Sequence, residues 1–158
     1  MVSADIHIVD AEDGTALAYC ATPVQASDTD TPIVRAPGVV FLGGFMSDMT
    51  GQKATVLEAW ARATGRAFLR LDYSGHGASG GAFRDGTIGR WRDDALTVIR
   101  HAGTTVPGLD GNLVLVGSSM GGWIVTLVAK ALNGDAAGTQ NAAGLVTIAA
   151  AADFTEDL

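Results

Sequence analysis

The chain has 158 residues, long enough for one domain with a real core, and 47% of them are apolar, which argues against a disordered segment. Ten Lys and Arg against seventeen Asp and Glu leave a formal charge of -7 with no basic run, so nothing here would neutralise a phosphate backbone and nucleic acid is not an expected partner. Cys20 is the only cysteine, which excludes an intrachain disulfide and any multi-cysteine metal site, and no metal or cofactor is expected. The N-terminus lacks the basic and apolar regions of a leader, and no apolar run reaches the roughly 18 residues of a membrane span. The expectation is a cytoplasmic protein of one domain, residues 1–158.

In chain order, residues 6–9 alternate apolar with polar, Gly14 sits in a turn signal, and residues 16–20 resume as a strand, predicting an opening hairpin. Residues 27–32 read as a polar surface loop, with Asp28 and Asp30. Residues 38–42 are a nearly continuous apolar run ending in Gly43-Gly44, as in strands buried on both faces. A helix should then carry Val56, Leu57, Trp60 and Ala61 on its apolar stripe and stop at Gly65, before a strand at 67–71. Thr87 can N-cap a second helix with Ile88, Trp91, Ala95, Val98, Ile99 and Ala102 inward, Arg90, Arg92, Asp93 and Asp94 mostly outward, and Gly103 as its close. A strand at 112–116, an apolar helix at 121–132 and a last strand at 144–150 complete the pattern. A hairpin followed by alternating strands and helices predicts an α/β fold with a largely parallel sheet covered by helices, whose ligands sit at the carboxyl ends of the strands.

Gly117-Ser118-Ser119-Met120-Gly121 has the pattern Gly-x-Ser-x-Gly between a buried strand and a buried helix. A nucleophilic serine on so sharp a turn needs glycines beside it, because side chains there would collide with the turn. Ser119 is therefore the candidate nucleophile. Acyl transfer also needs donors aimed at the developing oxyanion; the N–H of Met120, next after the serine, is one candidate and that of Phe45, following Gly43-Gly44, is the other. Asp72 heads a glycine-rich loop, Ser74-Gly75-His76-Gly77, and should hydrogen-bond the backbone of its own loop. The three histidines are His7, His76 and His101; only His76 falls at a strand's carboxyl end, and even there packing is the favoured reading over a catalytic base.

These segments, Leu42-Gly43-Gly44-Phe45-Met46-Ser47-Asp48-Met49, Asp72-Tyr73-Ser74-Gly75-His76-Gly77 and Gly117-Ser118-Ser119-Met120-Gly121-Gly122-Trp123, resemble the α/β-hydrolase superfamily. Together with Gly89-Arg90-Trp91-Arg92 they are similar to its palmitoyl-protein thioesterase and acyl-glucuronide esterase branch and that branch's bacterial relatives. The resemblance implies Ser119 as nucleophile, Phe45 and Met120 as oxyanion donors, and Gly44, Gly117 and Gly121 as supports of the motif. It also implies the order serine, acid, histidine, whereas no histidine follows Ser119. The implied fold is thus cut after about its sixth strand, with acid, base, two further strands and a lid expected beyond Leu158. Asp153, at a carboxyl strand end, is the best placed of the acids Asp135, Asp153, Glu156 and Asp157.

The leading expectation is a serine hydrolase of esters or thioesters acting on a small-molecule substrate through a Ser119 acyl-enzyme. The competing one is a catalytically inactive interaction module that self-associates through an exposed strand edge. A dimer lending His76 across its interface is the third.

Overall fold

The computed structural model describes residues 5–25 and 36–154; the expected loop at 27–32 and the acids Glu156 and Asp157 lie outside them. The elements are β1 (His7–Asp10), β2 (Ala16–Thr22), β3 (Gly38–Leu42), α1 (Gln52–Ala63), β4 (Phe68–Leu71), a 3-10 turn (Phe83–Asp85), α2 (Ile88–Thr105), β5 (Asn112–Ser118), α3 (Met120–Gly134) and β6 (Asn141–Ile148). They build one six-stranded sheet in the order β1-β2-β4-β3-β5-β6. β1 and β2 pair antiparallel, β2 pairs antiparallel with β4, and β4, β3, β5 and β6 are mutually parallel. From β3 the chain moves first to β4 on one side, then to β5 on the other. Such a reversal opens a crevice above the carboxyl ends of the central strands.

Side chains alternate across the sheet with the period of two that pleating imposes. Val40, Leu42, Leu69 and Leu71 join the larger core under α2 and α3, with Trp91, Ile99, Ile124 and Val128. Val39, Phe41, Phe68 and Val116 face the other way, against Ala54 and Ala61 of α1. α1 covers only part of that second face. Beside it runs an open apolar groove of about 780 Å³ lined by Val39, Val56, Trp60, Val114, Val146 and Ile148.

Several local expectations are corrected. Val56 and Trp60 of α1 point into the groove and are 60% and 44% exposed, while the small Ala54 and Ala61 and the charged Glu58 face the sheet. Gly103 does not close α2, which runs on to Thr105; a Cβ at Gly103 would stand 2.4 Å from the Gln140 side chain, so the glycine is a crossing point rather than a stop. Asp94 turns inward and is buried. β6 begins at Asn141, three residues before the apolar run. Thr87 caps α2 as expected, accepting from the Arg90 N–H at 3.1 Å. No helix among the described residues is long and apolar enough to cross a membrane.

Candidate active site

β5 ends at Ser118 and α3 begins at Met120, so Ser119 alone makes the turn. It does so with φ 55° and ψ -121°, a region sparsely used by residues with a Cβ that costs about 1–3 kcal/mol and persists only where the surroundings enforce it. The enforcement is visible in the glycines. A Cβ at Gly117 would meet the Gly121 carbonyl oxygen at 2.2 Å, and one at Gly121 would meet the Leu42 carbonyl oxygen at 2.1 Å. The strand, the turn and α3 can close on one another only if both positions are bare. The Ser119 N–H donates to the Ile148 carbonyl at 2.9 Å and its carbonyl accepts from the Ala151 N–H at 3.1 Å, tying the turn to β6 and the residues after it. Its side chain remains exposed.

The loop after β3 folds over this serine. An added Cβ at Gly44 would lie 3.2 Å from the Ser119 Cβ and 3.8 Å from its Oγ, so the Gly44 backbone borders the serine hydroxyl. Phe45 follows, its ring packed edge-on against Phe83, Phe154 and Trp91 with centroids 5.0, 5.6 and 6.2 Å away. Met120 opens α3, at the helix N-terminus where an anion is favoured. Ser119, Gly44, Phe45 and Met120 are thus brought together at one end of the sheet, where the chain reversal places the crevice.

His76 is placed differently. It is buried among Tyr73, Phe83 and Trp91, with ring centroids 5.5, 5.1 and 5.1 Å away. Its Nδ1 lies 3.1 Å from the Ser74 carbonyl, which can only accept, so Nδ1 carries the proton; Nε2 is buried with no protein partner among the described residues. That arrangement engages His76 in ring packing and not with Ser119. Asp153 is exposed just past β6, with φ 55°. The next residue, Phe154, packs against Phe45 and Trp123.

Asp72 reaches further than its own loop. One oxygen accepts from the Ala78 N–H at 2.9 Å and the other from the Met49 N–H at 2.7 Å. Burial pushes its pKa above the ordinary carboxylate value, opposed by these two hydrogen bonds. Asp94 is also raised, again chiefly by burial, and one of its oxygens accepts from both the N–H and the hydroxyl of Ser74.

Three neighbours of the site escaped the sequence reading. Arg70 donates to the Met49 carbonyl at 2.8 Å and is held by the buried Glu58, and the Tyr73 hydroxyl donates to the Gly43 carbonyl at 3.1 Å. A signal did exist for the first pair: an arginine inside the apolar strand Phe68-Leu69-Arg70-Leu71 requires a buried partner.

Comparison with known proteins agrees with this fold. The family described as serine aminopeptidase, S33, matches residues 36–158. The mitochondrial palmitoyl-protein thioesterase ABHD10 of Mus musculus is 37% identical over 119 residues, which are 75% of this chain and 36% of that protein. The chain therefore spans about a third of the length of the curated relatives it matches. The crystal structure of a protein from Agrobacterium vitis S4 superposes with a TM-score of 0.83 at 39% identity, covering 98% of this chain and 56% of the other. The mouse alpha/beta hydrolase domain-containing protein 10 superposes with a TM-score of 0.77 at 32% identity, covering 95% and 51%.

Proposed function

The chain belongs to the serine aminopeptidase S33 family of α/β-hydrolases, and on that footing we propose that it is the nucleophile-bearing part of a serine hydrolase acting on carboxylic esters or thioesters. The observation that carries the reading is Ser119 itself, an exposed serine held at φ 55° with the Gly44 backbone against it. Ser119 Oγ attacks the substrate carbonyl carbon, the oxyanion accepts from the N–H groups of Phe45 and Met120, and collapse expels the alcohol or thiol to leave an acyl-enzyme that water hydrolyses. The attack needs a base to take the serine proton. His76 is engaged elsewhere and no histidine follows Ser119, so in this proposal the acid and the histidine come from sequence that follows Leu158 in a longer form. Asp153 is the alternative acid within these residues. The curated relatives are named thioesterases and mitochondrial; for this chain a thioester substrate and a cytoplasmic location are proposals.

The test is hydrolysis of p-nitrophenyl butyrate and of an acyl-coenzyme A thioester by residues 1–158 and by a form extended to the relatives' length, each beside Ser119→Ala. We expect activity in the extended form that Ser119→Ala removes, and loss on the order of 10⁴-fold or more in residues 1–158. Activity indifferent to Ser119→Ala overturns the serine mechanism, and full activity in residues 1–158 overturns the external base. One observation favours the second reading, an interaction module. Leu145 and Val146 on the edge strand β6 are 46% and 48% exposed, and Val146 lines the groove beside α1. That reading expects an inactive protein in both forms, with concentration-dependent self-association by analytical ultracentrifugation.

A further inference from the structure

The proposed hydrolase reading leaves open how the Phe45 N–H is aimed, and the problem is acute because two consecutive glycines precede it. Gly43 and Gly44 lack the Cβ that would narrow their φ and ψ, so left alone the peptides before Phe45 could rotate and carry its N–H out of line. Two hydroxyls oppose that freedom. The Tyr73 hydroxyl donates to the Gly43 carbonyl at 3.1 Å. A Cβ on Gly121 would stand only 2.6 Å from the same oxygen, so the carbonyl is lodged between the phenol and the bare Cα of Gly121. Burial pushes the Tyr73 pKa far above any working pH, so its hydroxyl keeps its proton. The Ser47 hydroxyl donates to the next carbonyl, that of Gly44, at 2.7 Å, and the Ser47 N–H donates to it at 3.3 Å.

The Gly44 carbonyl and the Phe45 N–H belong to one trans peptide and point in opposite directions. Fixing the oxygen therefore fixes the donor, and a hydrogen bond on the oxygen also polarises that N–H. At the far end of the loop Met49 is held on both sides, its N–H by Asp72 and its carbonyl by Arg70. The loop is thus anchored at Met49, near its far end, and oriented at its first two carbonyls.

We propose that Tyr73 and Ser47 are positioning residues of this site, which hold two successive peptides so that the Phe45 N–H meets the oxyanion. Neither touches the reacting atoms, so their removal should leave substrate binding alone and slow the chemical step. A deleted oxyanion donor costs about 10²–10³ in kcat, and a misaimed one costs less. The experiment uses the longest natural form of the chain, with kcat and KM for p-nitrophenyl butyrate in wild type, Tyr73→Phe, Ser47→Ala and the double variant. Rates are referred to sites titrated with a fluorophosphonate. Ile99→Val, a buried change in α2 away from the site, serves as the control for stability loss alone. The expected result is a fall in kcat of about tenfold or more in the double variant, with KM within about twofold and Ile99→Val at the wild-type rate.

A smaller fall, a change carried by KM, or a fall matched by Ile99→Val overturns the positioning role. Should the double variant yield no folded protein, Ser47→Ala decides, because Ser47 is exposed and its loss leaves packing intact; a kcat within about twofold of wild type then overturns the role. Wild-type activity that survives Ser119→Ala overturns the hydrolase reading and this role with it. Ser119-dependent activity unmoved by the variants overturns this role alone.

Discussion

Replacing Gly121 with alanine places a methyl group where three backbone segments already meet. Its Cβ would stand 2.1 Å from the Leu42 carbonyl oxygen and 2.6 Å from that of Gly43, whereas carbon and oxygen not bonded to each other rest at about 3.3 Å or more. Neither obstacle is the movable end of a side chain. α3 would have to withdraw from β3 by about 1 Å, and the buried Ile124 and Val125 of its next turn would lose contacts as it did so. Overpacking of this kind costs typically about 1–3 kcal/mol and more when backbone must move. Taking about 3 kcal/mol, a protein of this size should lose about 6–12 °C in melting temperature. Thermal unfolding followed by circular dichroism measures it, with Gly111→Ala as the reference because a Cβ at Gly111 meets nothing within 4 Å. If Gly121→Ala melts within about 2 °C of Gly111→Ala, α3 does not lie against β3 as described and the packing account of the glycines is wrong.

Gly44→Ala should have the opposite profile: its Cβ meets the Ser119 Cβ at 3.2 Å, a gap of a few tenths of an ångström that the loop can open. The melting temperature should move by no more than about 2 °C while esterase activity falls more than about tenfold, since the methyl borders the proposed nucleophile; parallel losses in both would refute this. Glu58→Ala strips the buried Arg70 of a carboxylate held at 2.9 Å and should cost about 3–5 kcal/mol in urea unfolding. The double variant Glu58→Ala/Arg70→Met should recover part of that cost, and a strictly additive double would show that the two are not coupled. Asp94 is raised above 3.8 by burial, so its contribution to stability is greatest below that pH and is lost as pH rises through the higher folded value. Asp94→Asn, which keeps an acceptor for Ser74 and cannot ionise, should therefore gain in melting temperature over wild type as pH goes from 4 to 7; a difference flat with pH counts against the assignment.

Much of this was legible because local patterns agreed with the global fold. The unbroken apolar run of β3, the near-wholly apolar α3 and the Gly-x-Ser-x-Gly spacing between them were sufficient to place Ser119 on a strand-to-helix turn in a parallel sheet. Where a residue's role depended on a segment far away in sequence, the pattern misled. Gly103 reads as a helix stop until Gln140 is seen crossing it, and Asp94 sits among charges on a helix face yet turns inward because Ser74, 20 residues earlier, offers it two donors. Val56 and Trp60 have helical spacing, but no described element covers the groove they face. The sequence does not name the partners of Tyr73 and Arg70, since their hydrogen bonds go to carbonyls 30 and 21 residues away.

By itself, then, the sequence determined the order of elements, the kind of sheet and the serine that makes the strand-to-helix turn, all of which follow from periodicity and from the steric demands of a tight turn on its own neighbours. Only the tertiary structure decided what holds the loop over that serine and which apolar faces stay open. Those depend on which strand ends and helices come together, and a hydrogen bond between distant residues leaves no periodic trace in the chain that makes it.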